Sequence, residues 1–231
     1  MVRGGEPDLA ELMRRLGHVF TDPSLLRLAL VHRSWQAENA EPDSNERLEF
    51  LGDAVVGFVV AEAAYHRLPE DPESRLSDLR QAVVNTQALA QRARSIGLGD
   101  FMLLGVGEAA GGGRDKDSIL GDAFEAIIGA VFLDGGLDTA RGFVHRMLDD
   151  EIERTIPVLG SIDAKTALQE LCARRGSAPP HYDTEGEGPD HERVFTASVT
   201  IDGAVAGTGT GRTKKAAEQV AARVALRSLD D

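Results

Sequence analysis

Acidic side chains recur at helical spacing in two apolar segments of the chain. Glu46, Glu49 and Asp53 are three and four residues apart, and Asp122 and Glu125 are three apart. At ~100° per residue, the first three carboxylates fall within roughly 60° of one another on one helix face. Carboxylates without His or Cys nearby suit the hard cations Mg²⁺ and Mn²⁺. Clustered acids on two helices are typical of sites that hydrolyse phosphodiesters with one or two metal ions.

The same spacing is equally consistent with a site that does no chemistry. The acids can form a solvated face, or they can pair with Arg33, Arg47 and Arg80. Stacked like charges cost ~0.2–0.5 kcal/mol per pair on an exposed helix, so a cation is expected beside them. Gly57 and Gly129 each follow an acid by four residues, and we expect both to leave room for close approach.

Phe50 lies at the edge of this acidic face, roughly 40° from Glu46. An aromatic side chain there belongs either to the core or to an interface with another molecule. The second half of the same helix is apolar nearly all round, so we expect that half to be buried. The periodicity favours a core position for Phe50.

The elements that carry these residues fall into two groups. Helical periodicity predicts the main helices of the first group over 45–65, 74–96, 119–134 and 137–155, with a glycine-rich loop over 107–117. The second group is a helix over 164–175, strands over 181–184, 194–201 and 204–210, and a helix over 214–229. We therefore predict an all-α domain over 1–156 and a small α+β domain, in the order α-β-β-β-α, over 162–231.

The second domain carries groups that suit a phosphate-bearing partner. Lys214 and Lys215, with Arg212 just before them, oppose the dipole at a helix N-terminus, which makes sense if they meet phosphate. A solvated lysine pair is the alternative. Thr166 and Gln169 share a helix face and offer neutral groups of the kind that bind 2′-hydroxyls in the A-form minor groove. The alternating glycines of segment 207–211 do not indicate a dinucleotide loop, because no βαβ context surrounds them.

Composition and charge exclude several classes of protein. The chain has 231 residues, is 42% hydrophobic and 27% charged, and has a net charge of −13. These values fit a globular protein, and they argue against a partner held by bulk positive charge. Residues 156–231 carry a net charge of only −2, however, against −11 for residues 1–155. The single cysteine, Cys172, and the lack of a long apolar stretch or signal-peptide core predict a cytoplasmic protein without membrane contact.

Several motifs together resemble those of bacterial ribonuclease III. The segment 45–55, NERLEFLGDAV, resembles the family signature, and segments 32–34, HRS, and 122–129, DAFEAIIG, resemble its other landmarks. Segments 165–170, KTALQE, 188–191, GPDH, and 214–215, KK, are similar to the double-stranded-RNA-binding domain. The similarity covers nearly the whole chain, in the domain order of the family. It implies an all-α endonuclease domain followed by a double-stranded-RNA-binding domain.

The resemblance also implies roles for individual residues. Glu49, Asp53, Asp122 and Glu125 match metal ligands for Mg²⁺, for which Mn²⁺ can substitute, and Asp53 and Glu125 are catalytic in this assignment. Glu46 matches an acid that assists at the cleft. Glu73 matches a second such acid, although Ser74 replaces the usual glycine beside it.

Two further sets of contacts follow from the same resemblance. Phe50 becomes a knob inserted into a partner subunit of a homodimer, in contrast to the core position favoured by periodicity. The RNA-binding positions are Thr166, Gln169, Glu170, Pro189, His191, Arg212, Lys214 and Lys215.

The function implied is hydrolysis of phosphodiester bonds in double-stranded RNA, leaving 5′-phosphate and 3′-hydroxyl ends. Ribosomal and other precursor RNAs are the substrates that the family suggests. Two alternatives are a regulator that binds double-stranded RNA without cleaving it and a structural, ribosome-associated relative. Because all four candidate metal ligands are present, the endoribonuclease is favoured over both.

Overall fold

The computed structural model describes residues 6–159, 164–187 and 193–230. The chain divides into two compact units, Met1–Thr155 and Ile156–Asp231. Among the described residues, no helix combines the length and apolar composition needed to cross a membrane. The helices that begin in the first unit are α1 (Leu9–Leu16), α2 (Pro23–Ala29), α3 (Arg33–Asn39), α4 (Glu46–Arg67), α5 (Glu73–Val83), α6 (Thr86–Ser95), α7 (Val106–Ala110) and α8 (Asp117–Leu159).

The longest helix, α8, is interrupted at one residue. Gly136 has φ 75° and ψ −176°, which is not helical and which favours glycine. It lies at the junction between the two helices predicted over 119–134 and 137–155. Just before it, the carboxylate of Asp134 accepts hydrogen bonds from the backbone N–H groups of Thr21 and Asp22, at 2.9 and 3.0 Å. These hydrogen bonds hold the loop between α1 and α2 against α8.

The single helix predicted over 74–96 is two helices in the structure. α5 ends at Val83, and α6 begins after Asn85, whose side-chain oxygen accepts a hydrogen bond from the backbone N–H of Ala88. This is an ordinary N-cap, and it breaks a run that apolar periodicity alone continues. The predicted loop over 107–117 likewise contains most of α7 and a short 3-10 helix, Gly113–Asp115.

Helices α4 and α8 approach each other so closely that glycine is required at the contact. A β-carbon at Gly52 would overlap the backbone carbonyl of Glu125, and one at Gly129 would overlap the carbonyl of Leu48. The expectation for Gly129 is therefore confirmed. Gly57 takes no part in this contact, because among the described residues of the chain no atom lies within 4 Å of the β-carbon position there. Both helices contribute fully buried side chains to the core around this crossing.

The second unit is a three-stranded antiparallel sheet with two helices. Its elements are α9 (Ala164–Arg175), β1 (His181–Glu187), β2 (Val194–Ile201), β3 (Ala204–Gly211) and α10 (Lys214–Asp230), with strand order β1-β2-β3. Tyr182 pairs with Val199, and Ala197 pairs with Gly209. Leu168 of α9 and Ala221 of α10 are fully buried against the strands.

The alternating glycines of β3 have a packing role. A β-carbon at Gly207 or Gly209 would overlap the backbone of Ala221, and one at Gly211 would lie 2.7 Å from the backbone nitrogen of Ala217. Helix α10 therefore packs directly on the strand backbone. This placement agrees with the exclusion of a dinucleotide loop.

Candidate functional site

Three of the predicted carboxylates converge where α4 and α8 cross. Glu49, Asp122 and Glu125 each offer a carboxylate oxygen, and these oxygens lie within 4.8 Å of one another. All three residues are partly buried. The close contact at Gly52 produces this arrangement, because it brings the backbone of Glu125 against α4 one turn from Glu49. The donor set fits a hard divalent cation, which prefers oxygen ligands.

The electrostatics of the cluster favour neutralisation by a proton or a cation. Burial, the largest cause, and the negative charges of Asp53, Asp122 and Glu49 together raise the pKa of Glu125 to about 8. Burial is also the main cause that raises the pKa of Glu49 and of Asp122. Three partly buried carboxylates at this separation repel one another, so a bound cation is strongly favoured over three bare charges.

Asp53 and Glu46 lie beside this group and are both exposed. Asp53 is not one of the three residues with converging oxygens, although its charge raises the pKa of both Glu49 and Glu125. Glu46 accepts a hydrogen bond from the hydroxyl of Ser44 at 2.8 Å. It also lines a cavity of about 410 Å³ next to the cluster. The lining residues of that cavity are His32, Arg33, Asn45, Glu46, Glu49, Lys116, Ser118, Ile119 and Asp122.

The interpretation in which arginines neutralise the acids is wrong for the part of the chain that the structure describes. Arg33, Arg47 and Arg80 are exposed, and within that part none forms an ion pair within 4.0 Å of these carboxylates. Arg33 lowers the pKa of Asp122 through its charge, but burial outweighs that effect. Within the described residues, none of these three arginines therefore pairs with the carboxylates in place of a cation.

His32 and Lys116 line the cavity but were not predicted as site residues. His32 caps α3: its Nδ1 accepts a hydrogen bond from the backbone N–H of Ser34 at 3.3 Å, and the Ser34 hydroxyl accepts one from Gly105 at 2.9 Å. Burial is the main cause that lowers the pKa of His32 and favours its neutral form. The segment HRS at 32–34 was available as a signal, because it is one of the landmarks that the sequence shares with the family.

Glu73 lies outside this cavity. It is the first residue of α5, is exposed, and accepts a hydrogen bond from the hydroxyl of Ser77 at 2.7 Å. Within the described ranges it is neither among the cavity-lining residues nor among the charges that shift the carboxylate pKa values. The structure of one chain therefore does not bring Glu73 to the cluster.

Phe50 is 80% exposed, so the core position that periodicity favoured is wrong. Two more aromatic side chains of α4 are exposed: Phe58 at 50% and Tyr65 at 68%. The expectation that the second half of α4 is buried thus holds for one side of the helix only. A groove of about 750 Å³ lies along the exposed side, between α4 and α5, and includes Asp53 and Phe58 in its lining.

The predicted RNA-binding residues that the structure describes are all exposed. They occupy two places in the second unit, the outer side of α9 and the start of α10. Thr213 caps α10, since its hydroxyl oxygen accepts a hydrogen bond from the backbone N–H of Ala216 at 3.1 Å. Pro189 and His191 lie outside the described residues. The six exposed positions are Thr166, Gln169, Glu170, Arg212, Lys214 and Lys215.

Two family models match the chain, one for each unit. The model described as Ribonuclease-III-like matches residues 22–152, and the model described as Double-stranded RNA binding motif matches residues 164–229. Together with the carboxylate cluster and the α-β-β-β-α fold, these matches define a ribonuclease-III-like protein with an attached double-stranded RNA binding motif.

Individual relatives narrow this class to one family. The chain is 51% identical to Ribonuclease 3 of Streptomyces coelicolor over 215 residues, covering 93% of this chain and 78% of the relative. It is 49% identical to Ribonuclease 3 of Nocardia farcinica over 229 residues, covering 98% and 95%. The solved nuclease domain of ribonuclease III from Campylobacter jejuni is 43% identical, with a TM-score of 0.59, covering 62% of this chain and 97% of that domain. The chain belongs to the ribonuclease III family.

Proposed function

We propose that the protein is a Mg²⁺-dependent endoribonuclease that hydrolyses phosphodiester bonds in double-stranded RNA and leaves 5′-phosphate and 3′-hydroxyl ends. The observation that carries the proposal is the convergence of Glu49, Asp122 and Glu125 within 4.8 Å. Mn²⁺ can replace Mg²⁺, because the ligands are all carboxylate oxygens. Ribosomal and other precursor RNAs are the substrates suggested by the family.

The carboxylates have distinct tasks in this reaction. A bound divalent cation supplies Lewis-acid activation of water and charge stabilisation at the leaving 3′ oxygen. Glu49, Asp122 and Glu125 would hold it, and Asp53 would complete the set directly or through water. Glu125 and Asp53 are the catalytic carboxylates of the proposal. The exposed Glu46 assists at the edge of the cavity, and Glu73 is assigned only from the family resemblance.

Binding of the RNA duplex is assigned to the second domain, proposed over 162–231, and cleavage to the domain over 1–156. Thr166, Gln169 and Glu170 on α9 face the shallow minor groove, whose 2′-hydroxyls distinguish RNA from DNA. Lys214 and Lys215, at the start of α10, meet the phosphates. The cleft around the cluster is negative, so a cation held by these carboxylates would reduce the repulsion of the RNA phosphates there.

The proposed active form is a homodimer in the cytoplasm. Phe50, Phe58 and Tyr65 give α4 an exposed aromatic side, which is unusual for a surface that remains in water. A second copy of the chain would cover this side, with Phe50 inserted into the partner. The single cysteine supports a reducing compartment.

Cleavage of long, perfectly paired RNA with and without Mg²⁺ tests the proposal, with the wild type compared with Glu125→Gln. The variant keeps the shape of the side chain but removes one charge from the cluster. We expect the wild type to cut only with Mg²⁺ and the variant to bind without cutting. If both proteins bind and neither cuts under any divalent cation, the protein is a non-cleaving RNA-binding regulator.

A further inference from the structure

An ion pair ties the first turn of α9 to α10. The ammonium of Lys165 donates to a carboxylate oxygen of Glu218 at 2.6 Å, and the two side chains are 35% and 22% exposed. A second bond lies beside it, because the backbone N–H of Lys165 donates to the side-chain oxygen of the buried Gln219 at 3.4 Å. Two consecutive residues of α10 thus hold one residue of α9.

The sheet takes part in the same contact. The other carboxylate oxygen of Glu218 accepts a hydrogen bond from the hydroxyl of Thr184 on β1 at 3.3 Å. The Lys165 ammonium also lies 4.3 Å from the centre of the Tyr182 ring, a cation–π distance. Both oxygens of Glu218 are therefore engaged, and the residue links α9, β1 and α10 at one point.

This link lies between the two candidate RNA-binding groups. Lys165 immediately precedes Thr166 and is one helical turn before Gln169. Glu218 is one helical turn after Lys214. A change at the ion pair therefore alters the spacing between the groove-facing side of α9 and the phosphate-facing start of α10.

We propose that Glu218 is a positioning residue for recognition of A-form duplex: it holds Lys165 so that α9 and the start of α10 reach groove and phosphates together. The inference rests on the proposed binding of double-stranded RNA. An A-form duplex presents its minor groove and its phosphates at a fixed separation. Two rigidly spaced contact groups bind such a target far better than two groups whose spacing varies.

The sign of the expected effect separates this role from simple electrostatics. Removing an acid next to a phosphate-binding surface makes that surface more positive, and on charge alone RNA binding should tighten. Loss of positioning predicts the opposite, since the groove contacts and the phosphate contacts no longer form together. Glu218→Asp adds a test without any charge change, because the shorter side chain cannot keep both bonds.

The experiment measures binding of the full chain to a duplex RNA of ~25 base pairs, longer than the ~16 base pairs that one such module spans. Fluorescence anisotropy in EDTA prevents cleavage, and a duplex DNA of the same sequence measures the contribution that does not depend on 2′-hydroxyls. The variants are Glu218→Gln, Glu218→Asp and Lys165→Arg. Glu185→Gln is the matched control, because Glu185 is an exposed acid of β1.

We expect Glu218→Gln and Glu218→Asp to bind RNA roughly three- to tenfold more weakly, as is common for groups coupled in one network. Binding to DNA should change less, so the RNA-to-DNA affinity ratio falls. Lys165→Arg keeps the charge but not the geometry of the pair, so it should also weaken RNA binding, whereas Glu185→Gln should stay within about twofold of the wild type. Circular dichroism and thermal unfolding establish that each variant is folded at the assay temperature. If Glu218→Gln does not fold, the RNA binding of Glu218→Asp tests the positioning role.

Two failures can be told apart. A wild type that binds RNA and DNA duplexes equally would overturn the proposed function, and the role of Glu218 with it. A wild type that prefers RNA, beside folded Glu218 variants with unchanged or tighter RNA binding, would overturn only the role of Glu218. A fall in affinity with an unchanged RNA-to-DNA ratio also overturns it, because general loosening of the fold weakens both duplexes alike.

Discussion

Gly52 on α4 lies against the backbone carbonyl of Glu125 on α8, with no room for a β-carbon between them. The same crossing is tight from the other side, where Gly129 meets the carbonyl of Leu48. This contact sets the separation of the two helices that carry Glu49, Asp122 and Glu125. The chemistry of the cluster therefore depends on a residue that has no side chain.

Gly52→Ala should damage both stability and cleavage. The added methyl group forces α4 and α8 apart, and overpacking of this kind costs ~1–3 kcal/mol or more. A displacement of about 1 Å between reacting groups can lower the rate ~100-fold. Thermal unfolding and single-turnover cleavage measure the two effects. Gly107→Ala is the control, because no atom of the described residues lies within 4 Å of its β-carbon position. Equal behaviour of the two variants would contradict the role of the contact.

The carboxylate cluster should destabilise the metal-free protein as the pH rises. The pKa of Glu125 is about 8 in the folded protein and 4.5 as its ordinary value. Between these two pH values the unfolded chain loses the proton while the folded protein keeps it, so the free energy of unfolding falls as the pH rises. Removing the charge with Glu125→Gln should therefore raise the melting temperature by roughly 3–6 °C at pH 8 and by little at pH 5. Differential scanning calorimetry in EDTA measures the melting temperatures of the wild type and the variant at each pH.

Addition of Mg²⁺ provides the control for this prediction. Ligand binding stabilises the folded state, so the wild type should gain stability with Mg²⁺ concentration at pH 8. Glu125→Gln, with one ligand charge fewer, should gain less. A variant that is more stable than the wild type by the same amount at pH 5 and pH 8 would show that ionisation of Glu125 is not the cause.

The sequence motifs indicated the carboxylate cluster. Of the two glycines at the contact between α4 and α8, however, the sequence predicted only one. Counting residues from an acid selected Gly57 and Gly129, whereas the contact uses Gly52 and Gly129. Both Gly52 and Gly57 lie on α4, and spacing alone does not reveal which side of α4 meets α8. That choice depends on the packing of the two helices, which a single helical pattern does not contain.

The structure differs from the sequence prediction at two other places, once for a local reason and once for a non-local one. The break between α5 and α6 follows from the cap at Asn85, a signal present in the sequence that apolar periodicity masked. Phe50 is different, because an apolar residue on a helix looks the same whether it packs in its own core or against another molecule. Its 80% exposure is a property of the folded chain.

Phe50→Ala should weaken self-association. A large aromatic side chain at the centre of an interface often contributes at least ~2 kcal/mol, about 30-fold in the dimer dissociation constant for each of the two copies in a homodimer. Sedimentation velocity over a range of concentrations should show the variant dissociating where the wild type remains dimeric. Val19→Ala is the matched control, since Val19 is 81% exposed but lies outside α4. A wild type that is monomeric at all concentrations would contradict the proposed homodimer.

The lysines at the start of α10 should be visible in the salt dependence of RNA binding. Each phosphate contact contributes roughly one unit to the slope of log affinity against log salt concentration. Lys214→Gln and Lys215→Gln, made singly, should each make the slope shallower by about one. The RNA-to-DNA affinity ratio should stay close to that of the wild type, because the groove-facing residues of α9 are unchanged.

A substitution of another cation on α10 tests whether the position of the lysines or only the net charge determines the salt dependence. Arg227→Gln removes one exposed positive charge from the last turn of α10, more than three turns from Lys214. Residues 156–231 carry a net charge of −2, so every lost cation has some effect at low salt. Only a cation in contact with phosphate, however, releases a counterion and changes the slope. Fluorescence anisotropy between about 50 and 200 mM salt, the range over which such contacts are resolved, should therefore leave the Arg227→Gln slope equal to that of the wild type. If Arg227→Gln flattens the slope as much as Lys215→Gln, the lysines act through total charge and do not mark the phosphate-binding site.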